Sequence, residues 1–90
     1  MKYIVRDGIV KMNICGVVFL TPTRKQSAYC SAIMPLNLFS TMIWNSFVKG
    51  KEIQEIYELF MKLNISSDQA KQLVDKYIQD FIRNGYIIEV

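Results

Sequence analysis

The sequence contains no histidine and only two cysteines among its 90 residues. Histidine is the commonest general base and the commonest metal ligand, so its absence removes the usual basis for both kinds of chemistry. Cys15 and Cys30 form no CxxC pair, and no cluster of cysteine and acidic residues has metal-ligand spacing. We therefore expect no cofactor or metal, and two reduced thiols, although a bridge between Cys15 and Cys30 stays open.

Other features of catalytic sites are also missing. The four glycines lie at positions 8, 16, 50 and 85, too scattered to form a loop that cradles phosphate. Glu52, Glu55 and Glu58 are three apart and accompany Lys51 and Lys62, a pattern that a solvated helix face explains. We expect no enzymatic activity of the chain's own.

Long hydrophobic runs are absent as well. The longest uncharged apolar run, residues 14–20, is far shorter than the roughly 20 residues of a membrane-spanning helix. Arg6 and Asp7 interrupt the place where a signal peptide has its apolar stretch, so we expect a cytoplasmic protein. With 51% hydrophobic and 21% charged residues, residues 1–90 are expected to fold as one domain.

The first third of the chain contains three strand-like segments. Residues 9–14 alternate apolar and polar side chains after an opening apolar pair, and residues 16–21 are rich in β-branched and aromatic side chains. Residues 28–34 form the third segment. Pro22 and Pro35 lack a backbone donor and are expected to end the second and third strands. Residues 2–5 are compatible with a further short edge strand.

Helical periodicity dominates the rest of the chain. Asn37 followed by Ser40 predicts a helix start and Gly50 predicts its end. The second helix is expected over residues 53–63, and the third over 66–84, starting at a capping box of Ser66 and Gln69. Residues 86–90 are expected to be extended and packed. The core side chains expected from the first two helices are Leu38, Met42, Ile43, Trp44, Phe47, Ile53, Ile56, Tyr57, Phe60 and Leu63.

Three strands followed by three helices predict an α+β, winged helix-turn-helix-like domain, with a three-stranded antiparallel sheet packed on the helices by one face. Such a domain can bind DNA through its third helix, and the net charge of +3 permits a nucleic-acid partner. A winged-helix transcriptional regulator is therefore the alternative function. The charges of helix 66–84 cancel, however: Lys71, Lys76 and Arg83 stand against Asp68, Asp75 and Asp80.

A small open sheet can also accept a guest strand, because its edge presents unpaired backbone groups. Residues 28–34 are the candidate edge, and the small side chains of Ala28, Ser31 and Ala32 would let another chain approach closely. The same edge permits pairing with a second copy, so the chain is expected to be a monomer or a homodimer through this strand. Coverage of the edge by Pro35 and a neighbouring helix is the competing explanation.

An ordered set of short motifs carries a family resemblance: Leu36-Asn37, Ile43-Trp44, Gly50, Glu55-Ile56 and Gly85-Tyr86-Ile87-Ile88. Over residues 8–90 the chain resembles the PqqD-like family, also called RiPP recognition elements. The resemblance implies a non-catalytic adaptor that binds the leader segment of a ribosomally made precursor peptide. It also implies a modifying enzyme as partner, often a radical SAM protein. From the charge balance, the short apolar runs and the missing ligands, we expect no nucleic-acid partner, membrane or cofactor. The sequence departs from the family at Lys51-Glu52, where Ser or Thr usually caps the second helix, so that end is expected to fray.

The resemblance places the leader along the third strand, beside the third helix. At 100° per residue, the apolar stripe of that helix centres near Ala70, Val74, Tyr77 and Phe81, which are expected to face the core. Ile78 and Ile82 extend one flank beyond what the core needs, although Ile82 packed on Ile87 is an alternative. The predicted peptide site therefore comprises Tyr29, Cys30, Ser31, Ala32, Ile33, Lys71, Val74, Asp75, Ile78 and Ile82. Lys71 is expected to pair with an acidic leader residue, and a charge at Ile78 to weaken binding without unfolding the domain.

Overall fold

The computed structural model describes residues 2–23 and 33–90, which form an α+β fold. The elements follow one another as β1 (Tyr3–Val5), β2 (Ile9–Ile14), β3 (Val17–Pro22), β4 (Met34–Leu36), α1 (Leu38–Val48), α2 (Ile53–Met61), α3 (Ser67–Arg83) and β5 (Ile87–Glu89). A three-stranded antiparallel sheet precedes three helices, so the predicted fold class is confirmed. Within the described residues, no helix has the length and apolar character needed to cross a membrane.

The strands form two sheets rather than one. Strands β2, β3 and β4 make the main sheet in that order, and β1 pairs with β5 in a separate two-stranded sheet. In the second sheet Ile4 lies opposite Ile88, so the start and the end of the chain are hydrogen-bonded to each other. The extended, packed tail was predicted; its pairing with residues 3–5 was not.

Strand β4 extends past the end that the sequence indicates for the third strand. Proline was expected to end the third strand, but Pro35 is the central residue of β4 and lies opposite Phe19 of β3. The predicted end at Pro35 is therefore wrong, while most of the predicted segment 28–34 lies outside the described residues. An edge strand tolerates proline when the missing N–H would have pointed away from the sheet.

The hairpin between β2 and β3 turns on Cys15 and Gly16. Both residues have positive φ, 52° and 80°, and Ile14 pairs with Val17 across the turn. Two central residues with positive φ define a type I′ turn, whose twist matches that of the flanking strands. This turn fixes the register of the whole hairpin.

The helix ends follow local capping chemistry. Asn37 caps α1 by accepting from the backbone N–H of Ser40 at 2.9 Å, and Ser66 accepts from Gln69 at 3.2 Å in α3. At α2 the carboxylate of Glu55 accepts from the backbone N–H of Glu52 at 3.0 Å. The Ser or Thr cap of the family is absent, but the acidic side chain of Glu55 satisfies one of the free donors at this helix start.

The core lies between the main sheet and the helices. Trp44 packs there against Phe81, with ring centroids 5.6 Å apart, and against Tyr86 at 6.4 Å. The hydroxyl of Tyr86 donates to the carbonyl of Leu20 at 3.3 Å, which ties the tail to β3. Leu38 and Leu63, predicted to be in the core, are exposed because they lie at or beyond helix ends. The buried apolar residues are Leu20, Leu36, Ile43, Trp44, Phe47, Ile56, Phe60, Ala70, Val74, Ile78, Phe81, Tyr86 and Ile87.

Candidate peptide-binding groove

The outer edge of β4 is open within the described residues. Pro35 has no N–H, so the ladder to β3 must be made by Met34 and Leu36, whose backbone groups point inward. The carbonyl of Pro35 therefore points to the open side. Beyond it, the backbone of Asn37 is already engaged: its N–H donates to the Ser40 hydroxyl, and its carbonyl accepts from Thr41. The open edge thus ends at Pro35 and continues only toward Ile33.

One flank of α3 lies beside the end of this edge strand. The side-chain amide of Asn37, directly after β4, donates to the hydroxyl of Tyr77 at 2.8 Å. The ammonium of Lys76 lies 5.9 Å from the centroid of the Tyr77 ring, within the range of a cation–π contact. The hydrogen bond between Asn37 and Tyr77 places Tyr77, and the flank of α3 to which it belongs, next to β4.

The same flank is apolar one turn earlier. Leu73 lies four residues before Tyr77 and so shares its side of the helix. Leu73 and Ile65 border an open depression whose other lining residues are Gln69, Gln72 and Lys76. Both Leu73 and Tyr77 are only partly buried. Side chains that are half-covered by the core and half-open to solvent are suited to contact a bound chain. We call Leu73, Lys76 and Tyr77 the strand-side flank of α3.

The opposite flank of α3 faces α2 and β1 instead. The hydroxyl of Tyr57 in α2 donates to the carboxylate of Asp75 at 2.5 Å. A cleft at this position is lined by Tyr3, Ile53, Tyr57, Asp75, Ile78 and Gln79. Burial, together with the hydrogen bond to the negatively charged Asp75, raises the pKa of Tyr57 above its usual value. Asp75 is therefore committed to holding α2 against α3.

These contacts correct the helical half of the predicted peptide site. Val74 and Ile78 are 0% and 1% exposed and belong to the core. The expectation that Ile78 can carry a charge without unfolding the domain is therefore wrong, because an unpaired charge in the core is strongly destabilising. Ile82 is partly buried against the core, and Lys71 is exposed. At the end of β4, Asn37 contacts Tyr77. The predicted position of the Ile78 flank opposite residues 29–32 falls outside the described residues and stays a prediction.

The strand half of the predicted site is described only at its end. Ile33 is 57% exposed and lies immediately before β4, so its side chain is accessible. The described residues do not include the other predicted strand contacts, Tyr29, Cys30, Ser31 and Ala32.

The thiol of Cys15, the other cysteine of the sequence, is exposed at the turn between β2 and β3.

The sequence did not single out Leu73 or Tyr77 as contact residues. The helical wheel assigns Tyr77 to the core stripe, and it leaves undecided which neighbour each flank meets. The cap at Asn37 was recognised, but its amide has a second role as donor to Tyr77. The motif Leu36-Asn37 was the available signal, because it marks the point where the strand passes to the helix.

The groove is suited to binding rather than to catalysis. It offers a backbone carbonyl, apolar side chains, amides and one ammonium group, a set that holds an extended chain by backbone bonds and shallow apolar contacts. Within residues 2–23 and 33–90, no group of three or more Cys, Asp or Glu side chains is placed to hold a metal ion.

Comparison with known proteins gives one informative similarity. No protein-family profile matches the sequence, and no curated protein matches it. Among solved structures, TbiB1 in complex with the TbiA(beta) leader peptide superposes with a TM-score of 0.79. The chain has the fold of TbiB1. The two share 14% sequence identity, and the match covers 97% of this chain and 96% of TbiB1. TbiB1 holds a leader peptide, and at the level of fold the match agrees with what the PqqD-like resemblance implied.

Proposed function

We propose that this chain binds the leader segment of a ribosomally made precursor peptide as an additional strand along β4. The observation that carries the proposal is the open edge of β4 beside the strand-side flank of α3. The support from outside the chain is a shared fold with TbiB1, which was solved with a leader peptide. The peptide is expected to lie between β4 and the side chains of Leu73 and Tyr77.

The backbone of the guest strand supplies most of the affinity in this mode of binding. At Pro35 the edge offers a carbonyl but no donor, so the guest can only donate there. In this proposal the donors for the guest come from residues before Pro35, where the sequence predicts the contact residues Tyr29, Cys30, Ser31, Ala32 and Ile33. The register of the guest is consequently set upstream of the proline.

Side chains of the guest select among sequences. In an extended chain, alternate side chains point to the same side, so one set faces α3. The half-buried Leu73 favours an apolar residue there, and the exposed ammonium of Lys76 favours an acidic one. An exposed ion pair contributes only about 0–1 kcal/mol, so Lys76 adjusts register more than affinity. In this proposal Lys76 pairs with an acidic residue of the leader, a role that the sequence analysis predicted for Lys71.

The bound leader would leave the remainder of the precursor free for a modifying enzyme. An adaptor of this kind needs no catalytic group, which fits a sequence without histidine. We propose an enzyme of the radical SAM class as the partner and the cytoplasm, where ribosomal peptides are made, as the location. The partner rests on the family resemblance, and the location rests on Arg6 and Asp7, which interrupt the place of a signal peptide.

Binding of DNA by α3 is the alternative function, and the experiment must distinguish it from binding of a leader peptide. The acidic and basic residues of that helix cancel, and Arg83 lies 3.6 Å from the carboxylate of Asp80. A recognition helix with three carboxylates would repel phosphate.

The test is a titration of isotope-labelled protein followed by backbone amide shifts. One ligand is a synthetic leader peptide encoded beside the gene of this chain, and the other is duplex DNA at about 150 mM salt, where weak phosphate contacts are screened. We expect the peptide to shift amides of residues 28–36 and of the strand-side flank, and DNA to shift none of them. Peptide shifts confined to residues around Asp75 and Ile82, or shifts with DNA alone, would contradict the proposal.

A further inference from the structure

The main sheet has an apolar face that no helix covers in the described part of the chain. Residues paired across antiparallel strands lie on the same face, so Met12, Phe19 and Pro35 share one side. By alternation, Val10, Ile14 and Val17 are on that side too. We call these six residues the outer face of the sheet.

The opposite side of the sheet packs on the helices. Leu20 and Leu36 are buried there, and Ile9, Val18 and Met34 pack against the same core. The polar residues of β2 also face this side: Lys11 donates to the side chain of Asn45 in α1 at 2.8 Å. After Ile9, strand β2 therefore presents its polar side chains to the helices and Val10, Met12 and Ile14 away from them.

This arrangement is the reverse of an ordinary surface strand, whose apolar side chains are buried. A slip of one residue would turn Val10, Met12 and Ile14 inward, but the Cys15-Gly16 turn fixes the register. Val10, Ile14 and Val17 are consequently 44%, 52% and 44% exposed. A contiguous exposed apolar patch of this kind marks an interaction surface.

We propose that the outer face binds the outer face of a second copy of this chain. Recognition of a different protein relies on polar groups that discriminate between partners. Across β2 and β3, Thr21, which lies opposite Val10, is the one polar residue on this side of the sheet. The face carries no charged residue in β2, β3 or β4, so two copies meet without repulsion although each has a net charge of +3.

The order of the residues is self-complementary. The Met12–Phe19 pair lies near the middle of the hairpin, with Val10 toward one end and the Ile14–Val17 pair at the other. A two-fold axis through the central pair therefore brings apolar side chains against apolar side chains whichever ends meet. Sheets stacked in this way lie about 10 Å apart with their side chains interdigitated.

The size of the face limits the strength of the contact. Strands β2 and β3 have six residues each and β4 has three. At about 3.4 Å per residue and about 4.8 Å between strands, the face is roughly 250 Å² in projection, well under the roughly 800 Å² that each partner buries in a standard interface. We therefore expect a weak dimer, with a dissociation constant between about 100 µM and about 1 mM.

The dimer leaves the peptide groove accessible. Stacking covers the side chains of the outer face, whereas a guest strand bonds to the outer edge of β4. The inference therefore does not depend on the proposed function, and it differs from pairing of two copies through their edge strands. Amides of β2 and β3 would report stacking, and amides of residues 33–36 would report edge pairing.

The experiment is sedimentation equilibrium of the full chain under reducing conditions, from about 20 µM to about 1 mM. The reductant prevents a disulfide through the exposed Cys15. Val17→Lys places a charge on the outer face. Leu63→Lys is the matched control, since Leu63 is 48% exposed, lies after α2 and undergoes the same change of charge. Val10→Lys repeats the test at the other end of the face.

We expect the wild-type chain and Leu63→Lys to associate alike, and both outer-face variants to stay monomeric at about 1 mM, a loss of at least tenfold in association. A wild-type chain that is monomeric at every concentration would overturn the inference. So would association that persists in both outer-face variants, or that is lost equally in Leu63→Lys. Amide shifts on dilution that fall on residues 33–36 instead of β2 and β3 would assign the dimer to the edge and overturn it as well.

Discussion

Replacement of Ile78 by alanine tests whether this side chain belongs to the core or to a peptide groove. The change removes three carbon atoms from a side chain that is 1% exposed. At about 0.8 kcal/mol per buried carbon, the transfer loss is about 2.4 kcal/mol, and the remaining cavity raises the expected loss to about 3 kcal/mol. A domain of this size has a free energy of unfolding of about 5–13 kcal/mol, so the loss is large.

Urea denaturation measures this loss directly. With a slope of about 1–1.5 kcal/mol per molar urea, the midpoint is expected to fall by about 2–3 M. Ile33→Ala is the matched control: the same atoms are removed from a residue that is 57% exposed, and the expected change is within about 0.5 kcal/mol. A loss below about 1 kcal/mol for Ile78→Ala would refute the assignment to the core. It would also restore the Ile78 flank as a candidate groove.

Three further predictions concern single sites. Gly50→Ala should lower stability by about 1 kcal/mol in thermal or urea unfolding: Gly50 has φ +80°, while an added methyl group meets no atom within 4 Å, so the cost is backbone strain alone. Cys15→Asn should raise stability by about 0.5 kcal/mol, because asparagine tolerates the positive φ of a type I′ turn better than cysteine; a decrease would argue against that turn. Wild-type stability should fall as pH rises above about 10, since the fold raises the pKa of Tyr57 and favours its neutral form, and Tyr57→Phe should flatten this alkaline limb.

The parts of the fold that depend on neighbouring residues could be predicted from the sequence. The caps at Asn37 and Ser66 and the helix end at Gly50 were all located correctly, because capping involves residues within one turn. The core position of Trp44 and the stripe of α3 at Ala70, Val74 and Phe81 were also correct. The periodicity of apolar residues along a helix indicates which of its faces is buried.

The parts that depend on distant residues could not be predicted. Proline was expected to end the third strand, yet Pro35 lies inside β4, because only the pairing partner decides whether its missing N–H matters. The sequence does not show that Val10, Met12 and Ile14 of β2 face away from the helices, since that depends on the register set by β3. The apolar stripe of α3 also does not indicate which neighbour each flank contacts. In the structure Tyr77 faces β4 and Asp75 faces α2.

The most direct test of the peptide groove compares Leu73→Ala with Ile82→Ala. Both side chains are large, apolar and partly buried on α3, but they lie on opposite flanks of that helix. The measurement is the affinity of each variant for a fluorescent leader peptide encoded beside the gene of this chain. We expect Leu73→Ala to lose about 1–2 kcal/mol, which is roughly 5- to 30-fold, and Ile82→Ala to bind as the wild type does. Equal affinities for the two variants, or a greater loss in Ile82→Ala, would contradict a groove between β4 and the strand-side flank.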